Sequence, residues 1–419
     1  MTRTPPRQNR TTMIDPERLL SQLRALREFG RHGDGVVRRC LTPVDMESRQ
    51  WLVERMRAAG LQAEIDGIAN VIGRSPNPGK ALLLGSHSDT QPTGGWLDGA
   101  LGVIYAIEVA HALRDDPATR HLPVDVASWA DEESHYLGMM GSRSFCDLLD
   151  EAEIDAAGNE QGHGLRAALA EFGLDGKAPQ RLEPGRYLGY LEAHIEQGPW
   201  LEREDLRIGV VSSIVGMKDL HIAFRGQQNH AGTTPMRLRR DAAMALFEFV
   251  PRVNQAFAEL AGEHSVWTIG QVDLDPNARS IVPGLAECNL QFRDPDQARV
   301  EAMSRRAFEL VDEFNAGRDV TAEIRVHDES ARAVPMDDGL QAALAAAAEY
   351  CAPGRWRRMP SGAAHDAQVL AERMPAGMLF IPSIGGVSHD FSEDSHDDDI
   401  VLGCEVLARA TRQLLEQAA

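Results

Sequence analysis

The chain has 419 residues, of which 43% are hydrophobic and 5% aromatic, and it carries a formal net charge of −20. This length suggests two or three domains rather than one core. The negative charge argues against nucleic acid and anionic membranes as partners, because both attract basic surfaces. No apolar run approaches the length of a transmembrane helix.

The cysteines and the N-terminus bear on the compartment. Five scattered cysteines form no CxxC pair, which argues against disulfides and against a thiolate zinc site. The chain begins MTRTPPRQNRTT, which lacks the apolar segment of a secretory signal. We therefore predict a disordered tail over residues 1–15 and a cytoplasmic protein.

The first half of the chain alternates between helical and strand-like patterns. Apolar periodicity predicts helices over 16–29 and 45–59, and residues 99–113 have the pattern of a buried helix. Strand-like segments occupy 61–73, 81–89 and 124–133. This order predicts βαβ units and a largely parallel sheet, in which functional residues gather at the carboxyl ends of the strands.

The pattern changes after about residue 212. Strands are predicted at 217–227, 265–275, 286–294 and 320–328, with helices at about 240–261 and 296–315. This is an αβ module over residues 213–332, and the motif GGVSHDFSED follows it. We therefore predict a discontinuous catalytic domain of residues 16–212 and 333–419 with the module inserted. The strand 217–227 and the helix after it suit a symmetric dimer interface.

Five potential metal ligands lie in separate polar motifs. They are His87 in GSHSDT, Asp98 in GGWLDG, Glu133 in WADEES, His194 in EAHIEQG and His389 in GGVSHDFSED. Alone, each motif has an ordinary structural alternative, such as a polar turn or a structural histidine. Together they indicate a dinuclear site with nitrogen and oxygen ligands and one bridging carboxylate. Such a site favours a hydrolytic enzyme.

Residues beside the ligands have candidate roles in the chemistry. Asp89 lies on the same face of an extended segment as His87, where its carboxylate can accept the second ring N–H of that histidine. The side chains of Glu132 and Glu133 diverge, so one can bind metal while the other faces the bound water as a general base. Gln197 offers an amide to a substrate.

Three further polar segments have both a functional and a structural interpretation. His230 in GQQNHAGTTPM could bind an oxyanion or a substrate. Arg293 could pair with a substrate carboxylate, or form a surface salt bridge with Asp294 or Asp296. Asp394 and the run HDDD at 396–399 predict an acidic cluster at a helix N-terminus.

The motifs GSHSDT, DGALGV, HIEQGP, NHAGTTPM and SGAAHD occur in this order. With them the chain, from about residue 16 to 416, resembles the hydantoinase/carbamoylase-type amidases of the M20 metallopeptidase superfamily. That group includes N-carbamoyl-L-amino acid hydrolases, allantoate amidohydrolases and β-ureidopropionases. The resemblance implies an α/β, zinc-peptidase-like catalytic domain with an inserted α+β lid and dimerisation domain. It also implies a homodimer and two divalent metal ions per subunit, whether zinc, manganese, cobalt or nickel.

The resemblance also implies roles for individual residues. One metal would be held by His87, His194 and a bridging Asp98, and the other by Glu133, His389 and the same Asp98. Glu132 would be the general base, and His230 would act in the active site of the partner subunit. The substrate-binding positions are Gln197, His230, Ser280, Arg293 and Gly362. The chain departs from the family at Ser280, where Asn is usual, at Ala364, where Gly is usual, and at Asp390 in SHDF, which replaces SHSP.

The five predicted ligands and the resemblance to these amidases together predict a binuclear metal-dependent amidohydrolase. We expect it to cleave a C–N bond of a ureido compound, with an N-carbamoyl-L-amino acid as the expected substrate. An N-acyl amino acid amidohydrolase or a dipeptidase with the same site is the alternative. A non-catalytic binding protein is a more distant one, and it predicts erosion of ligands or base, which the sequence does not show. The expected partners are a small-molecule substrate and a second copy of the chain, without nucleic acid or membrane.

Overall fold

The structure is a computed structural model that describes residues 12–326 and 330–418. Its contacts divide the chain into two compact units. The first comprises residues 12–212, 336–359 and 364–418, and the second comprises 213–326, 330–335 and 360–363. The chain thus leaves the first unit and later returns to it, as a discontinuous domain requires. The role of the second unit as a lid and dimerisation domain stays a prediction.

The described residues form twelve α-helices and seventeen strands. The helices are α1 Pro16–Glu28, α2 Pro43–Ala58, α3 Ala100–Asp115, α4 Met140–Phe145, α5 Glu151–Ala156, α6 Leu165–Glu171, α7 Trp200–Arg203, α8 Ala242–Leu260, α9 Gln297–Asn315, α10 Asp338–Cys351, α11 Asp366–Leu370 and α12 Asp397–Ala418. The strands are β1 Arg31–His32, β2 Gly35–Val36, β3 Gln62–Ile65, β4 Val71–Arg74, β5 Ala81–His87, β6 Val124–Trp129, β7 Tyr187–Ile195, β8 Ile208–Ile214, β9 Gly216–Arg225, β10 Asn229–His230, β11 Val266–Asp275, β12 Ile281–Val282, β13 Leu285–Asp294, β14 Thr321–Val326, β15 Val334–Pro335, β16 Trp356–Ser361 and β17 Ala376–Ile381.

The first unit is built on a mixed sheet with the order β8-β17-β7-β5-β6-β4-β3. Its central strands β17, β7, β5 and β6 are parallel, whereas β8, β4 and β3 pair antiparallel. Strands β5 and β6 are buried along their whole length, as in parallel sheets with both faces covered. Helix α3 joins these two parallel strands, which confirms the predicted βαβ unit.

The segment 61–73 folds differently from the single strand that its pattern predicts. It forms β3 and β4, which pair antiparallel across a turn. The carboxylate of Asp66 accepts the main-chain N–H groups of Ile68 at 3.0 Å and Asn70 at 2.8 Å. These bonds stabilise the turn, because a short acceptor side chain can satisfy main-chain donors two residues further on.

Part of the predicted tail packs on the first unit. Residues 1–11 lie outside the described residues. The main-chain N–H of Met13 donates to the Glu405 carboxylate at 2.9 Å, and Ile14 is buried. The side chain of Asp15 caps α1 by accepting two main-chain N–H groups. Residues 13–15 are therefore part of the folded unit rather than of a disordered tail.

The second unit contains a four-stranded antiparallel sheet with the order β11-β13-β9-β14. Every second residue of β13 is buried, so one face of the sheet is covered. Helices α8 and α9 pack on it, around buried aromatic side chains. These are Phe224, Phe249, Phe257, Phe292 and Phe314. Residues 327 and 328 of the predicted last strand lie outside the described residues.

The strand proposed for a dimer interface lies inside this sheet. Strand β9 is paired on both sides, with β13 and with β14, so its main chain cannot pair with a second chain. Residues 217–227 therefore cannot extend the sheet into a second chain, and their place in a dimer interface stays a prediction. The α-helix that follows this strand, α8, carries exposed apolar side chains, because Met244 is 60% and Phe247 53% exposed, and β11 is an edge strand of the sheet.

Two further sequence expectations concern cysteines and membranes. All five cysteines are free, and four of them are buried. Within the described ranges, none of the helices combines the length and apolarity that crossing a membrane requires.

Candidate metal centre

The five predicted ligands lie at the carboxyl ends of the parallel strands of the first unit. His87 is the last residue of β5, and His194 lies near the end of β7. Glu133 follows β6, His389 follows β17, and Asp98 lies in the loop between β5 and α3. The topology brings these ends together because neighbouring parallel strands end at the same edge of a sheet.

The ligand atoms form two groups that share Asp98. His87, Asp98 and His194 form one group, Asp98, Glu133 and His389 form the other, and the ligand atoms of each lie within 4.8 Å of one another. Asp98 Oδ1 lies 3.0 Å from His194 Nε2 and 3.4 Å from His87 Nε2. Asp98 Oδ2 lies 3.3 Å from His389 Nε2. The two oxygens of this carboxylate thus face different groups, which is the arrangement of a bridging ligand.

Main-chain carbonyls hold the two buried histidines. His87 Nδ1 lies 3.0 Å from the carbonyl oxygen of Asp89, and His194 Nδ1 lies 2.9 Å from that of Ile195. A ring that donates from Nδ1 leaves the lone pair of Nε2 free in its neutral form. Both Nε2 atoms point at Asp98, and that of His194 also accepts the main-chain N–H of Gly99 at 3.1 Å. A cation bound beside Asp98 would replace this hydrogen bond.

The Asp89 carboxylate does not take the role predicted for it. It lies 4.0 Å from His87 Nδ1, farther than the main-chain carbonyl of the same residue. Its Oδ2 instead accepts the main-chain N–H of Glu133 at 3.2 Å, and its Oδ1 lies 3.8 Å from the buried guanidinium of Arg49. Asp89 therefore links the β5 end to the loop of Glu133.

The acidic loop after β6 is fixed by Asp131, which sequence reasoning did not single out. Its backbone has a φ of +57°, and its carboxylate accepts three main-chain N–H groups of residues 135–137 at 2.7 Å each. The loop turns so that Glu132 and Glu133 diverge. Glu132 Oε2 lies 3.8 Å from His87 Nε2, and Glu133 Oε2 accepts from the Gln91 amide at 2.6 Å.

Several buried carboxylates lie close together in the centre, and burial and their mutual charges shift their pKa values. Burial raises the pKa of Glu132 well above its ordinary value, and the charge of Glu133 raises it further. Burial and the neighbouring Asp98 raise the pKa of Glu133 to about 7. The hydrogen bond to Asp98 raises the pKa of His389 to about 9. Burial opposes ionisation of Asp98, yet hydrogen bonds with three histidines hold its pKa well below the ordinary value. Such a site favours positive charge.

The residues fit a pair of divalent cations. Three imidazole nitrogens and two carboxylates are a donor set that suits zinc and other first-row divalent metals. Glu133 Oε1 is buried and accepts no hydrogen bond from the described residues. A bound cation would satisfy this oxygen and compensate the negative charge.

Gln197 lies directly beside this centre. Its Nε2 donates to Asp98 Oδ2 at 2.9 Å and to Ser388 Oγ at 3.2 Å. Gln197 has a φ of +57° and the ligand His389 a φ of +54°. Left-handed backbone is unfavourable for these residues and persists where the surrounding structure imposes it, often at functional sites.

The remaining predicted site residues belong to the second unit, in two pairs. His230 on β10 is paired with β12, and the N–H of Ala231 donates to the carbonyl of Ser280 at 2.9 Å. His230 Nδ1 accepts the main-chain N–H groups of Gly232 at 3.0 Å and Thr233 at 3.2 Å. In the neutral ring the proton therefore sits on Nε2, which is the atom left to donate.

Arg293 and Gly362 form the second pair. Arg293 Nη1 donates to the Gly362 carbonyl at 3.0 Å, and Nε and Nη2 donate to Gln291 Oε1 at 3.2 and 3.0 Å. Within the described residues, Arg293 forms no ion pair, and burial lowers its pKa. The alternative of a salt bridge with Asp294 or Asp296 is wrong, because these carboxylates face Arg299 at 3.0 and 3.7 Å.

Three other residues near the ligands were missed or misinterpreted. The Asp394 carboxylate accepts from the Trp96 indole at 3.2 Å and lies before α12, so only Asp397–Asp399 belong to the acidic first turn of that helix. The ring of His365, in the SGAAHD motif, lies 4.6 Å from that of His194, and burial lowers its pKa. Burial raises the pKa of Glu393 to about 7. The motifs containing His365 and Glu393 were visible, but their contacts were not.

Known proteins resemble this chain over nearly its whole length. The sequence profile of Peptidase family M20/M25/M40 matches residues 83–413. An N-carbamoyl-L-amino-acid amidohydrolase from Paenarthrobacter aurescens is 34% identical over 95% of this chain and 98% of its own length. An allantoate amidohydrolase from Escherichia coli K12 is 33% identical over 94% and 96%. The crystal structure of a hydantoinase/carbamoylase family amidase from Burkholderia phymatum, 50% identical, superposes with a TM-score of 0.93 over 98% of this chain and 100% of its own.

Proposed function

This chain belongs to peptidase family M20/M25/M40, and within that family we propose that it is a binuclear metal-dependent amidohydrolase of N-carbamoyl-L-amino acids. Members of this family are metal-dependent hydrolases, and the two relatives from Paenarthrobacter aurescens and Escherichia coli K12 are amidohydrolases. The proposal adds the number of metal ions, the bond that is cleaved and the residues that cleave it.

The observation that carries the proposal is the two-sided environment of Asp98. One carboxylate oxygen lies 3.0 Å from a histidine of the first ligand group, and the other lies 3.3 Å from His389 of the second. We propose that His87, His194 and Asp98 hold one ion and that Glu133, His389 and Asp98 hold the other. When bound, a pair of divalent ions polarises a carbonyl group and makes water acidic enough to be deprotonated near neutral pH.

The chain itself would supply the proton transfers. We propose that Glu132 takes a proton from the attacking water, because its buried carboxyl lies beside the first ligand group, 3.8 Å from His87 Nε2, and belongs to neither ligand group. The water oxygen bonds to the ureido carbon, and the bond from that carbon to the amino acid nitrogen breaks. Glu132 returns its proton to the leaving nitrogen, so the amino acid departs as an amine. Asp89 would orient the loop that carries Glu133 through the hydrogen bond between them.

Recognition of the substrate would use residues other than the metal ligands. Arg293, which has only neutral oxygens as hydrogen-bond partners among the described residues, suits the carboxylate of an amino acid. Gln197 would bind the ureido group, and His230 would donate from Nε2 to the oxyanion. Ser280 and Gly362 would also contact the substrate. The carbonyl of Ser280 accepts the N–H of the residue after His230, and the carbonyl of Gly362 accepts from Arg293.

Three other classes of substrate could be hydrolysed by the same chemistry, and the experiment below distinguishes them. Allantoate is also a ureido compound, and an allantoate amidohydrolase is 33% identical to this chain. An N-acyl amino acid or a dipeptide would use the same site. The homodimer, the cytoplasmic location and the absence of nucleic acid partners also stay predictions.

The decisive experiment is a substrate panel on metal-loaded protein. Metal-depleted enzyme receives zinc, manganese, cobalt or nickel and is assayed with N-carbamoyl-L-amino acids, their D-enantiomers, allantoate, N-acetyl amino acids and dipeptides. We expect no turnover before metal is added, and afterwards the highest kcat/KM with an N-carbamoyl-L-amino acid. Full activity in a preparation shown by elemental analysis to be metal-free would overturn the mechanism. A preference for N-acetyl substrates would overturn the substrate class.

A further inference from the structure

Glu393 is a buried carboxylate that joins two loops of the metal centre without being one of the ligands. Its side chain is 1% exposed. Oε1 accepts the main-chain N–H groups of Asp98 at 3.0 Å and Leu97 at 3.3 Å. Oε2 accepts the hydroxyl of Ser388 at 2.7 Å. One side chain therefore holds the main chain of the shared ligand and also the residue that precedes His389.

The glycine at position 95 makes room for this carboxylate. A Cβ atom at Gly95 would lie 1.9 Å from Glu393 Oε1 and 2.1 Å from its Cδ, much closer than real atoms approach. A side chain at this position must therefore displace the carboxylate. The preceding Gly94 is constrained by another neighbour, because its Cβ would lie 2.6 Å from Thr90 Cβ. A Cβ atom at position 95 would therefore meet Glu393, whereas one at position 94 would meet Thr90.

Fixing the main chain at Asp98 matters because this residue must face two ligand groups at once. Its carboxylate is short, so a rotation of the loop would move both oxygens away from their histidines. Without Glu393, the N–H groups of Leu97 and Asp98 would be buried donors without an acceptor, which favours a rearranged loop. Removal of a side chain that orients a metal ligand commonly lowers metal affinity by ~10–100-fold.

From these contacts we propose that Glu393 is a positioning residue that sets the bridging orientation of Asp98, and that Gly95 is required because it admits Glu393. The inference rests on the proposed metal centre. Glu393 keeps the loop 94–99 and the loop 388–394 in fixed relation, so both ligand groups form together.

The first test measures zinc alone, by competition with a chromophoric chelator, and needs no substrate. Glu393→Ala and Gly95→Ala should each bind zinc ~10–100-fold more weakly than the unaltered protein. Glu393→Gln keeps an oxygen that can accept the two N–H groups, so it should restore most of the affinity. Asp125→Ala is the matched control. Asp125 is also fully buried and accepts a main-chain N–H, from Ser75 at 2.8 Å, but it lies at the other end of β6. The Asp125→Ala substitution should lower the unfolding temperature and leave zinc affinity unchanged.

The second test is a double-mutant comparison. In the Glu393→Ala background the carboxylate atoms that a Cβ at position 95 would meet at 1.9 and 2.1 Å are gone, and only the Cβ of residue 393 remains, at 2.6 Å. Gly95→Ala should therefore weaken zinc binding by a smaller factor in that background than in the unaltered protein. Gly94→Ala, whose Cβ would meet Thr90 rather than Glu393, should change zinc affinity by the same factor in both backgrounds. Unaltered zinc affinity in Glu393→Ala, or independent effects of Glu393→Ala and Gly95→Ala, would overturn the inference. If the unaltered protein itself binds no zinc or other divalent metal, the proposed function fails instead.

Discussion

Glu132 Oε2 lies 3.8 Å from His87 Nε2, whereas the adjacent Glu133 turns to the other ligand group. Neighbouring residues of one loop therefore reach different parts of the centre, and their isosteric variants should fail in different ways. Glu132→Gln should keep its metal ions and lose turnover by ~10²–10⁴-fold, because the general base is gone. Metal content by elemental analysis and kcat under saturating substrate measure the two effects.

Glu133→Gln is the matched comparison for that prediction. It removes a charged ligand atom and should release metal during dialysis against a weak chelator, with activity partly recovered at high metal concentration. If Glu132→Gln empties the site and Glu133→Gln leaves it full, the two roles are reversed.

Arg293 should determine the requirement for a carboxylate on the substrate. Its guanidinium forms no ion pair within the described residues, so a substrate carboxylate would gain a charge-assisted hydrogen bond. Such a bond contributes ~1.5–3 kcal/mol, so Arg293→Ala should lower kcat/KM by ~10–100-fold. The neutral N-carbamoyl amino acid amide serves as the control substrate. If Arg293→Ala lowers kcat/KM for the amide as much as for the acid, Arg293 does not bind the carboxylate.

Much of the candidate metal centre was predictable because His87, His194 and Glu133 lie at or after the ends of buried strands, where a polar motif after an apolar run is conspicuous. The role of Asp89 was predicted wrongly, since side-chain alternation does not reveal that the main-chain carbonyl of the same residue lies nearer to His87. Asp131 and Glu393 were missed for a related reason. Their partners are mainly main-chain N–H groups, which no residue pattern marks.

The fold shows the same division between local pattern and tertiary pairing. Residues 217–227 alternate as a half-buried strand should, and they do form β9. Alternation cannot tell a central strand from an edge strand, because both have one buried face. Only the pairing of β9 with β13 and β14 shows that it is central.

His111 should make the stability of the first unit depend on pH. It lies on α3 and is 7% exposed, and burial, with Arg18, Arg114 and Arg55 nearby, lowers its pKa to about 4 against an opposing effect of Asp115. Because the folded pKa lies below the unfolded one, near 6.5, this stabilisation is present above about pH 6.5 and is lost as the pH falls towards 4. Because solvent screens part of this effect, the free energy of unfolding should fall by roughly 1–2 kcal/mol over that range.

The measurement is urea unfolding of the metal-free protein between pH 4 and 7.5. His111→Gln removes the titrating group, so its stability should fall less steeply with decreasing pH than that of the unaltered protein. Parallel curves for the two proteins would show that His111 does not contribute to the pH dependence.

Exposed apolar groups on the second unit bear on the predicted homodimer. Met244 and Phe247 lie on one helix and are 60% and 53% exposed, and β11 is an edge strand. Such surfaces are common in interfaces between identical chains. We expect Phe247→Asp to convert a dimer into a monomer in analytical ultracentrifugation. A monomer in the unaltered protein at assay concentration would exclude the dimer directly.

If His230 acts in the active site of the partner subunit, two inactive variants should restore each other. His230→Ala and Glu132→Gln homodimers should each be nearly inactive, because the first lacks the oxyanion donor and the second the general base. In a heterodimer, one site combines an intact Glu132 with an intact His230 from the other chain. Random pairing of equal amounts makes half of the dimers mixed, each with one working site, so co-refolding should give about a quarter of the unaltered activity. Mixing the two folded homodimers without refolding is the control. Verified heterodimers without activity would mean that His230 acts within its own chain or not at all.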